Sequence, residues 1–177
     1  MYIYDFIQGL IIGGTLIIAI GPQNLFVIQQ GLKKSYVFTV TLFCSLSDSL
    51  LIVIGIYLSN YIVQINPSII GIIKVLGGIW LIFYGLNKVI KLNQIKDINK
   101  KLNIINEYGK VLITLFLITY ANPHVYLDTI ILLGSLSTNF NDQFSFGVGA
   151  ISASFLFFFS LGYICLLYTS PSPRDWL

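Results

Sequence analysis

The chain has 177 residues, of which 56% are hydrophobic and only 10% are charged, and its formal net charge is +3. An average soluble domain carries about 25% charged residues, so this much apolar side chain does not fit one small water-soluble core. The composition therefore indicates a membrane protein whose partner is the lipid bilayer. It also argues against nucleic-acid binding, because the lysines are dispersed and form no basic face.

Five apolar segments follow one another along the chain, each close to the ~20 residues that cross a bilayer as a helix. We predict transmembrane helices over Tyr4–Gln29, Val37–Asn60, Ser68–Ile90, Val111–Leu133 and Phe146–Leu167. Lysines fall in alternate connections, at 33–34 after the first span and in the long segment 91–110 after the third. By the positive-inside rule these two loops are cytoplasmic and the N-terminus is outside.

Polar, proline-containing tetrads interrupt the first and the fourth predicted spans. Gly-Pro-Gln-Asn occupies 21–24, and Ala-Asn-Pro-His occupies 121–124. Hydrocarbon offers no hydrogen-bond partners to an opened helix, so such breaks are tolerated at membrane depth only where they line a protein-enclosed cavity. Paired breaks in the two halves of a chain are typical of the binding site of a secondary transporter.

The two interrupted spans enter the membrane from opposite sides, as in a three-plus-three inverted repeat. We therefore expect an all-α polytopic protein with a first three-helix repeat at 1–90, a cytoplasmic linker at 91–110 and an incomplete second repeat at 111–164. Five of the six helices of such a repeat are present. The tail 165–177 resembles the translation of a sequencing-library adaptor, so we expect the native sequence to depart from it near Ile164.

Asp48 lies about 11 residues into the second span, which is ~16 Å along a helix and close to the bilayer midplane. An ionisable side chain at that depth is a functional residue by default, here as the counter-ion of a cationic substrate or as a proton site. The alternative is a carboxylate that the neighbouring hydroxyls of Ser45, Ser47 and Ser49 satisfy for helix packing.

The second tetrad is followed by a further acidic residue. His124 and Asp128 are four residues apart and share one face of a helix. His124 is a candidate proton relay or a partner of the opened backbone, and Asp128 is either a site carboxylate or a solvated residue at the interface. Asn24 and Asn122 flank the prolines, where their amides can satisfy freed backbone groups or bind the α-carboxylate and α-ammonium of an amino acid.

The candidate residues thus fall into two groups. The predicted substrate-binding or translocation residues are Gln23, Asn24, Asp48, Asn122, His124 and Asp128, and the predicted helix-breaking residues are Gly21, Pro22 and Pro123. No metal site or cofactor is predicted. Small-residue clusters such as Gly9 with Gly13, and 152–154 (Ser-Ala-Ser), are interpreted as helix-packing surfaces. Cys44 and Cys165 are interpreted as small apolar fillers.

Together these motifs resemble the lysine/arginine exporter family. The similarity spans residues 1–164 and is carried by Gly-Pro-Gln-Asn-Leu-Phe-Val at 21–27, Ser-Asp at 47–48, Asn-Pro-His-Val-Tyr-Leu-Asp-Thr at 122–129 and Gly-Ala-Ile-Ser-Ala-Ser-Phe at 149–155. The resemblance implies a six-helix permease of the bacterial inner membrane that exports L-arginine, with L-lysine as a second candidate. It implies substrate contacts for Asn24, Asp48, Asn122 and Asp128.

Export of a cation from a negative cell interior opposes the membrane potential by about 2.3 kcal/mol per 100 mV, so we expect coupling to the proton gradient or to the potential. Two alternatives stay open: a transporter of divalent metals or other cations that uses Asp48, His124 and Asp128, and a membrane subunit without transport of its own. An enzyme is not expected, because no nucleophile–base pair or cofactor motif can be assembled. The oligomeric state is open, a homo-oligomer included.

Overall fold

A computed structural model describes residues 2–18, 21–66 and 108–168, with isolated helical positions between 68 and 86. In this part of the chain the elements are α1 (Tyr2–Ile17), α2 (Pro22–Leu32), α3 (Val37–Ile65), α4 (Tyr108–Tyr120), α5 (Pro123–Tyr126), a π-helical segment (Leu127–Leu133), α6 (Gly134–Ser137) and α7 (Gln143–Tyr168). The all-helical prediction is confirmed there. The predicted third span lies largely outside the described residues, as do the linker up to 107 and the tail beyond 168.

Two of these helices, α3 with 29 residues and α7 with 26, are each long and apolar enough to cross a membrane. They contain or match the predicted second and fifth spans. The helices α1 and α2 qualify together as a third crossing, and their axes meet at 81°. The segment predicted as the fourth span is divided among α4, α5 and the π-helical segment. The described residues thus hold two or three crossings, and the inverted repeat stays a prediction.

The turn between α2 and α3 uses an unusual backbone conformation. Lys34 and Tyr36 have φ angles of 56° and 53°, in the left-handed region that residues other than glycine seldom adopt. The ring of Tyr36 packs against that of Tyr108, with 5.2 Å between ring centroids. This contact joins the start of α3 to the start of α4 across the long connection between them.

Helices α1 and α7 pack with their backbones in contact. A methyl group added at Gly9 would collide with the carbonyl oxygen of Phe146, and one added at Gly13 would lie 2.9 Å from Cα of Ala150. Small residues permit this close approach, as the sequence predicted for Gly9 and Gly13. At the end of this interface the carboxylate of Asp5 accepts a hydrogen bond of 3.0 Å from the backbone N–H of Asp142.

Two clusters of buried apolar side chains form the core of the described helices. The first combines Phe26, Val27, Val40, Cys44, Val111, Leu115 and Phe158. The second combines Ile52, Leu133, Phe146 and Ala150. Cys44 is fully buried in the first cluster, in agreement with its interpretation as an apolar filler. Phe158 from one cluster and Ile52 from the other reach the cavity described next.

Candidate functional site between the two helix breaks

A cavity lies between the two helix breaks and the middle of α3. The empty space within it, including the part open to solvent, is about 610 Å³. Both tetrads, the middle of α3 and the π-helical segment contribute to its wall. The lining residues are Leu16, Ile17, Gly21, Pro22, Gln23, Asn24, Asp48, Ile52, Asn122, Val125, Asp128, Thr129, Leu133 and Phe158.

The predicted site residues therefore converge where their side chains are described. Gln23, Asn24, Asp48, Asn122 and Asp128 all line this cavity, although they come from three separate segments of the chain. The side chains of Pro123 and His124 lie outside the described residues. What the lining residues bind stays a prediction, but their assembly around one space is a structural fact that the sequence pattern anticipates.

Asp48 is the buried carboxyl group of this wall, with 5% of its surface exposed. The hydroxyl of Ser154, on α7, donates a hydrogen bond of 3.3 Å to its Oδ2 atom. The side-chain amide of Gln23 lies against the same carboxyl group. Both of these described neighbours are neutral, so neither of them balances a negative charge on Asp48.

The alternative in which neighbouring hydroxyls on α3 satisfy Asp48 does not describe the hydrogen bonds found. Ser45 donates to the backbone carbonyl of Thr41 at 2.9 Å, and Ser49 donates to that of Ser45 at 2.6 Å. Ser47 receives a hydrogen bond from the Tyr120 hydroxyl. Asp48 is instead contacted by Gln23 of α2 and Ser154 of α7, so its contacts link α3 to two other helices.

The first break is held by a side chain of its own tetrad. Pro22 begins α2, where its missing N–H costs no helical hydrogen bond, and Gly21 before it is extended with φ −98° and ψ 176°. Asn24 Nδ2 donates a hydrogen bond of 2.9 Å to the backbone carbonyl of Ile17, in the last turn of α1. The Nε2 atom of Gln23 is buried beside Asp48, and within the described residues it forms no hydrogen bond of ordinary geometry.

The second break is held by tyrosines. The hydroxyl of Tyr126 donates a hydrogen bond of 2.7 Å to the backbone carbonyl of Tyr120, the last residue of α4. The Tyr120 hydroxyl in turn donates to Ser47 Oγ at 3.2 Å. The residue next to Asp48 is therefore tied to the second break, while Asp48 itself contacts Gln23 in the first.

The π-helical segment carries Asp128 and Thr129 to the cavity wall. Its wide turns lie against α3 at Gly55, where an added methyl group would be 2.8 Å from the Thr129 carbonyl oxygen. Short π-helical stretches recur at functional sites. Asp128 is half-buried in this wall, and its role as a site carboxylate stays a prediction.

Sequence reasoning missed four polar residues of this region: Ser154, the two tyrosines, and Thr129, which lines the cavity. Ser154 was interpreted as part of a packing surface, and that interpretation is incomplete because its hydroxyl bonds Asp48. A signal existed: Ser154 lies four residues after Ala150 and four before Phe158, so it shares their helix face. Nothing in the sequence indicated which tyrosine hydroxyls would close the second break.

In the described part of the chain, no three or more histidine, cysteine, aspartate or glutamate side chains come together as ligands for a metal ion. The predicted metal alternative depends on His124, whose side chain lies outside that part. The fully described acidic residues of the cavity, Asp48 and Asp128, face it together with amides and apolar groups.

Comparison with known proteins gives consistent matches. The model of the family described as LysE type translocator matches residues 15–175. The arginine exporter protein ArgO of Klebsiella pneumoniae (strain 342) is 36% identical over 178 residues, which covers 98% of this chain and 82% of that protein. ArgO of Escherichia coli (strain K12) is 35% identical with the same coverage. ArgO of Salmonella enteritidis PT4 (strain P125109) is 35% identical over 173 residues, 96% of this chain and 80% of that one. No solved structure matches the chain.

Proposed function

The chain belongs to the LysE type translocator family, and from that premise we propose that it exports basic L-amino acids, L-arginine first and L-lysine second. It is a multi-pass membrane protein and a transporter, not an enzyme. The observation that carries the proposal is the cavity in which both helix breaks meet two carboxyl groups, Asp48 and Asp128.

Two acidic groups suit a substrate with two cationic groups. At neutral pH arginine and lysine each carry an α-ammonium group, a side-chain cation and one carboxylate. Asp48 and Asp128 can balance the two cations, whereas a neutral amino acid would leave one buried carboxylate without a counter-charge. An uncompensated charge at membrane depth is costly, so the wall favours dibasic amino acids over threonine or homoserine.

The α-carboxylate of the substrate has a donor-rich region at the start of α2. No side chain caps this helix at Gly21, and the first turns of a helix present N–H groups and a partial positive charge to anions. Gln23 Nε2 adds a buried donor that forms no hydrogen bond of ordinary geometry with the described part of the chain. The amide of Asn122, also in the wall, is a second candidate donor from the other break.

We place this site in an alternating-access cycle. Asp48 binds the substrate cation while the cavity is open to the cytoplasm, and a proton from outside replaces it after release. Each cycle then exchanges one exported cation for one imported proton, so no net charge moves against the potential. We propose that the protein lies in the bacterial inner membrane with its N-terminus outside and the loops at 33–34 and 91–110 in the cytoplasm. We also propose an inverted repeat in which each half carries one of the two breaks.

Transport into everted membrane vesicles from expressing cells tests the substrate class. These vesicles expose the cytoplasmic face, so an exporter accumulates labelled arginine inside them when respiration acidifies the lumen. We expect uptake that unlabelled arginine and lysine inhibit and that threonine or Mn²⁺ does not. Inhibition by threonine, or labelled Mn²⁺ uptake in place of arginine uptake, would contradict the proposal. Vesicles from cells that do not express the protein supply the background.

A further inference from the structure

Ser154 departs from the way other serines in these helices use their hydroxyl groups. Ser45, Ser49 and Ser152 each donate to the backbone carbonyl four residues earlier in their own helix, at 2.9, 2.6 and 2.7 Å. That is the usual arrangement for a serine within an apolar helix. Ser154 instead donates across the bundle to Asp48 Oδ2, and both side chains are buried.

The place of Ser154 is set by packing that does not involve Asp48. One turn before it, Ala150 lies against Gly13, where the backbones of α1 and α7 touch. One turn after it, Phe158 reaches the cavity wall. The α1–α7 interface thus fixes the depth and rotation of Ser154, and α3 brings Asp48 to it. A donor held by an independent contact can orient a carboxyl group rather than follow it.

We propose that Ser154 is the positioning and specificity-determining residue for the Asp48 carboxyl group. By holding Oδ2 from behind, its hydroxyl turns Oδ1 toward the cavity, where the cationic group of the substrate binds. The inference rests on the proposed function and adds a residue that acts through Asp48 without touching the substrate. Preorganised acceptors bind a charged group better than mobile ones, because less ordering is needed on binding.

Replacement of the hydroxyl should therefore change affinity more than turnover. For Ser154→Ala in everted vesicles we expect an apparent KM for arginine that is about tenfold higher, with Vmax per inserted protein within about twofold of the parent. Ser154→Cys keeps the size and a weak donor, so its KM should lie between those of the alanine variant and the parent. A purely structural role would lower the inserted amount and leave KM unchanged.

Ser152→Ala is the matched control on the same helix. Ser152 is a partly exposed serine two residues away whose hydroxyl bonds only the carbonyl of Val148 in the described contacts. Its removal should leave KM and Vmax unaltered. If Ser154→Ala inserts poorly, arginine-induced stabilisation of the purified variant against heat replaces the transport assay, with citrulline as the uncharged analogue. We expect the preference for arginine over citrulline to fall about tenfold.

An unchanged KM and an unchanged arginine-to-citrulline preference in Ser154→Ala would overturn the inference. If Ser154→Ala is unchanged while Asp48→Asn is inactive in the same vesicles, only the role of Ser154 is refuted. The proposed function then stands. A parent protein that neither transports nor binds arginine would remove both. Equal losses in Ser154→Ala and Ser152→Ala would also overturn it, because they would indicate a general effect of altering α7.

Discussion

The break before α2 and the break before α5 both begin the next helix with a proline, but different groups hold them. At the first break, the side chain of Asn24, which belongs to the tetrad, donates a hydrogen bond to the carbonyl of Ile17. At the second, Tyr126 closes the carbonyl of Tyr120, and Tyr120 reaches Ser47 on α3. The first break is thus secured mainly by its own segment and the second by contacts with another helix.

The segments that follow the breaks differ in the same sense. After Pro22 the chain continues as a regular helix of 11 residues. After Pro123 it makes four α-helical residues and then the π-helical segment, which lies against Gly55 of α3. Proline next to an amide therefore opens a helix in both places, while tertiary packing decides the path beyond the opening. Each path delivers different chemistry: Gln23 beside Asp48 in one case, and Asp128 in the other.

The largest expected effects on transport come from replacing the two carboxyl groups, and the two replacements should differ in size. Asp48→Asn should reduce arginine transport by more than about 100-fold, because it removes the buried counter-charge while preserving shape. Asp128→Asn should raise the apparent KM by about tenfold and leave measurable transport, since Asp128 is only half-buried and is closer to solvent in this wall. The measurement is arginine uptake by everted vesicles, normalised to inserted protein.

Equal membrane levels of the parent and of both variants are the required control for these rates. Residual transport by Asp48→Asn close to that of the parent would remove Asp48 from the mechanism. A complete loss in Asp128→Asn with little change in Asp48→Asn would reverse the assignment and make the second break the principal site.

Smaller effects should distinguish how the two breaks are held. Asn24→Ala removes a buried donor and leaves the Ile17 carbonyl without that bond, so we expect a loss of about 1–3 kcal/mol of stability. Tyr126→Phe removes only a hydroxyl from a half-buried ring, and we expect about 0.5–1.5 kcal/mol. Thermal unfolding of the purified proteins in detergent, without substrate, measures both.

Tyr163→Phe, at an exposed position on α7, is the matched control for loss of a tyrosine hydroxyl. It should unfold at the same temperature as the parent. A larger loss of thermal stability in Tyr126→Phe than in Asn24→Ala would contradict this comparison. The second break would then depend more on its own hydrogen bond than the first break does.

The helices and the polar residues of the site could be predicted because both leave strong local signals. Long apolar segments gave α3 and α7, and the two tetrads marked the places where helices open. A carboxylate such as Asp48 stands out in an apolar segment because charge there is costly. These signals depend on a residue and its sequence neighbours alone.

What could not be predicted depends on which residues meet in space. The expected single fourth span became α4, α5 and a π-helical segment, whose wide turns lie against a glycine of α3 that is distant in sequence. The Ser154–Asp48 and Tyr120–Ser47 hydrogen bonds join residues 106 and 73 positions apart. Serine and tyrosine are common in apolar helices, so their composition does not distinguish these pairs from packing residues.

Substrate protection of a single cysteine in the cavity tests the central claim most directly. Val125 lines the cavity at the second break, so Val125→Cys in a Cys165→Ser background places a thiol in the wall, and the background alone reports on Cys44. Asn139→Cys, at an exposed turn, is the control thiol. For a variant that still transports, saturating arginine should slow the modification of the cysteine at 125 by a small thiol reagent, and threonine should not. Modification at 139 should be unaffected by either amino acid. An unchanged rate at 125 in the presence of transported arginine would place the substrate elsewhere and contradict the account.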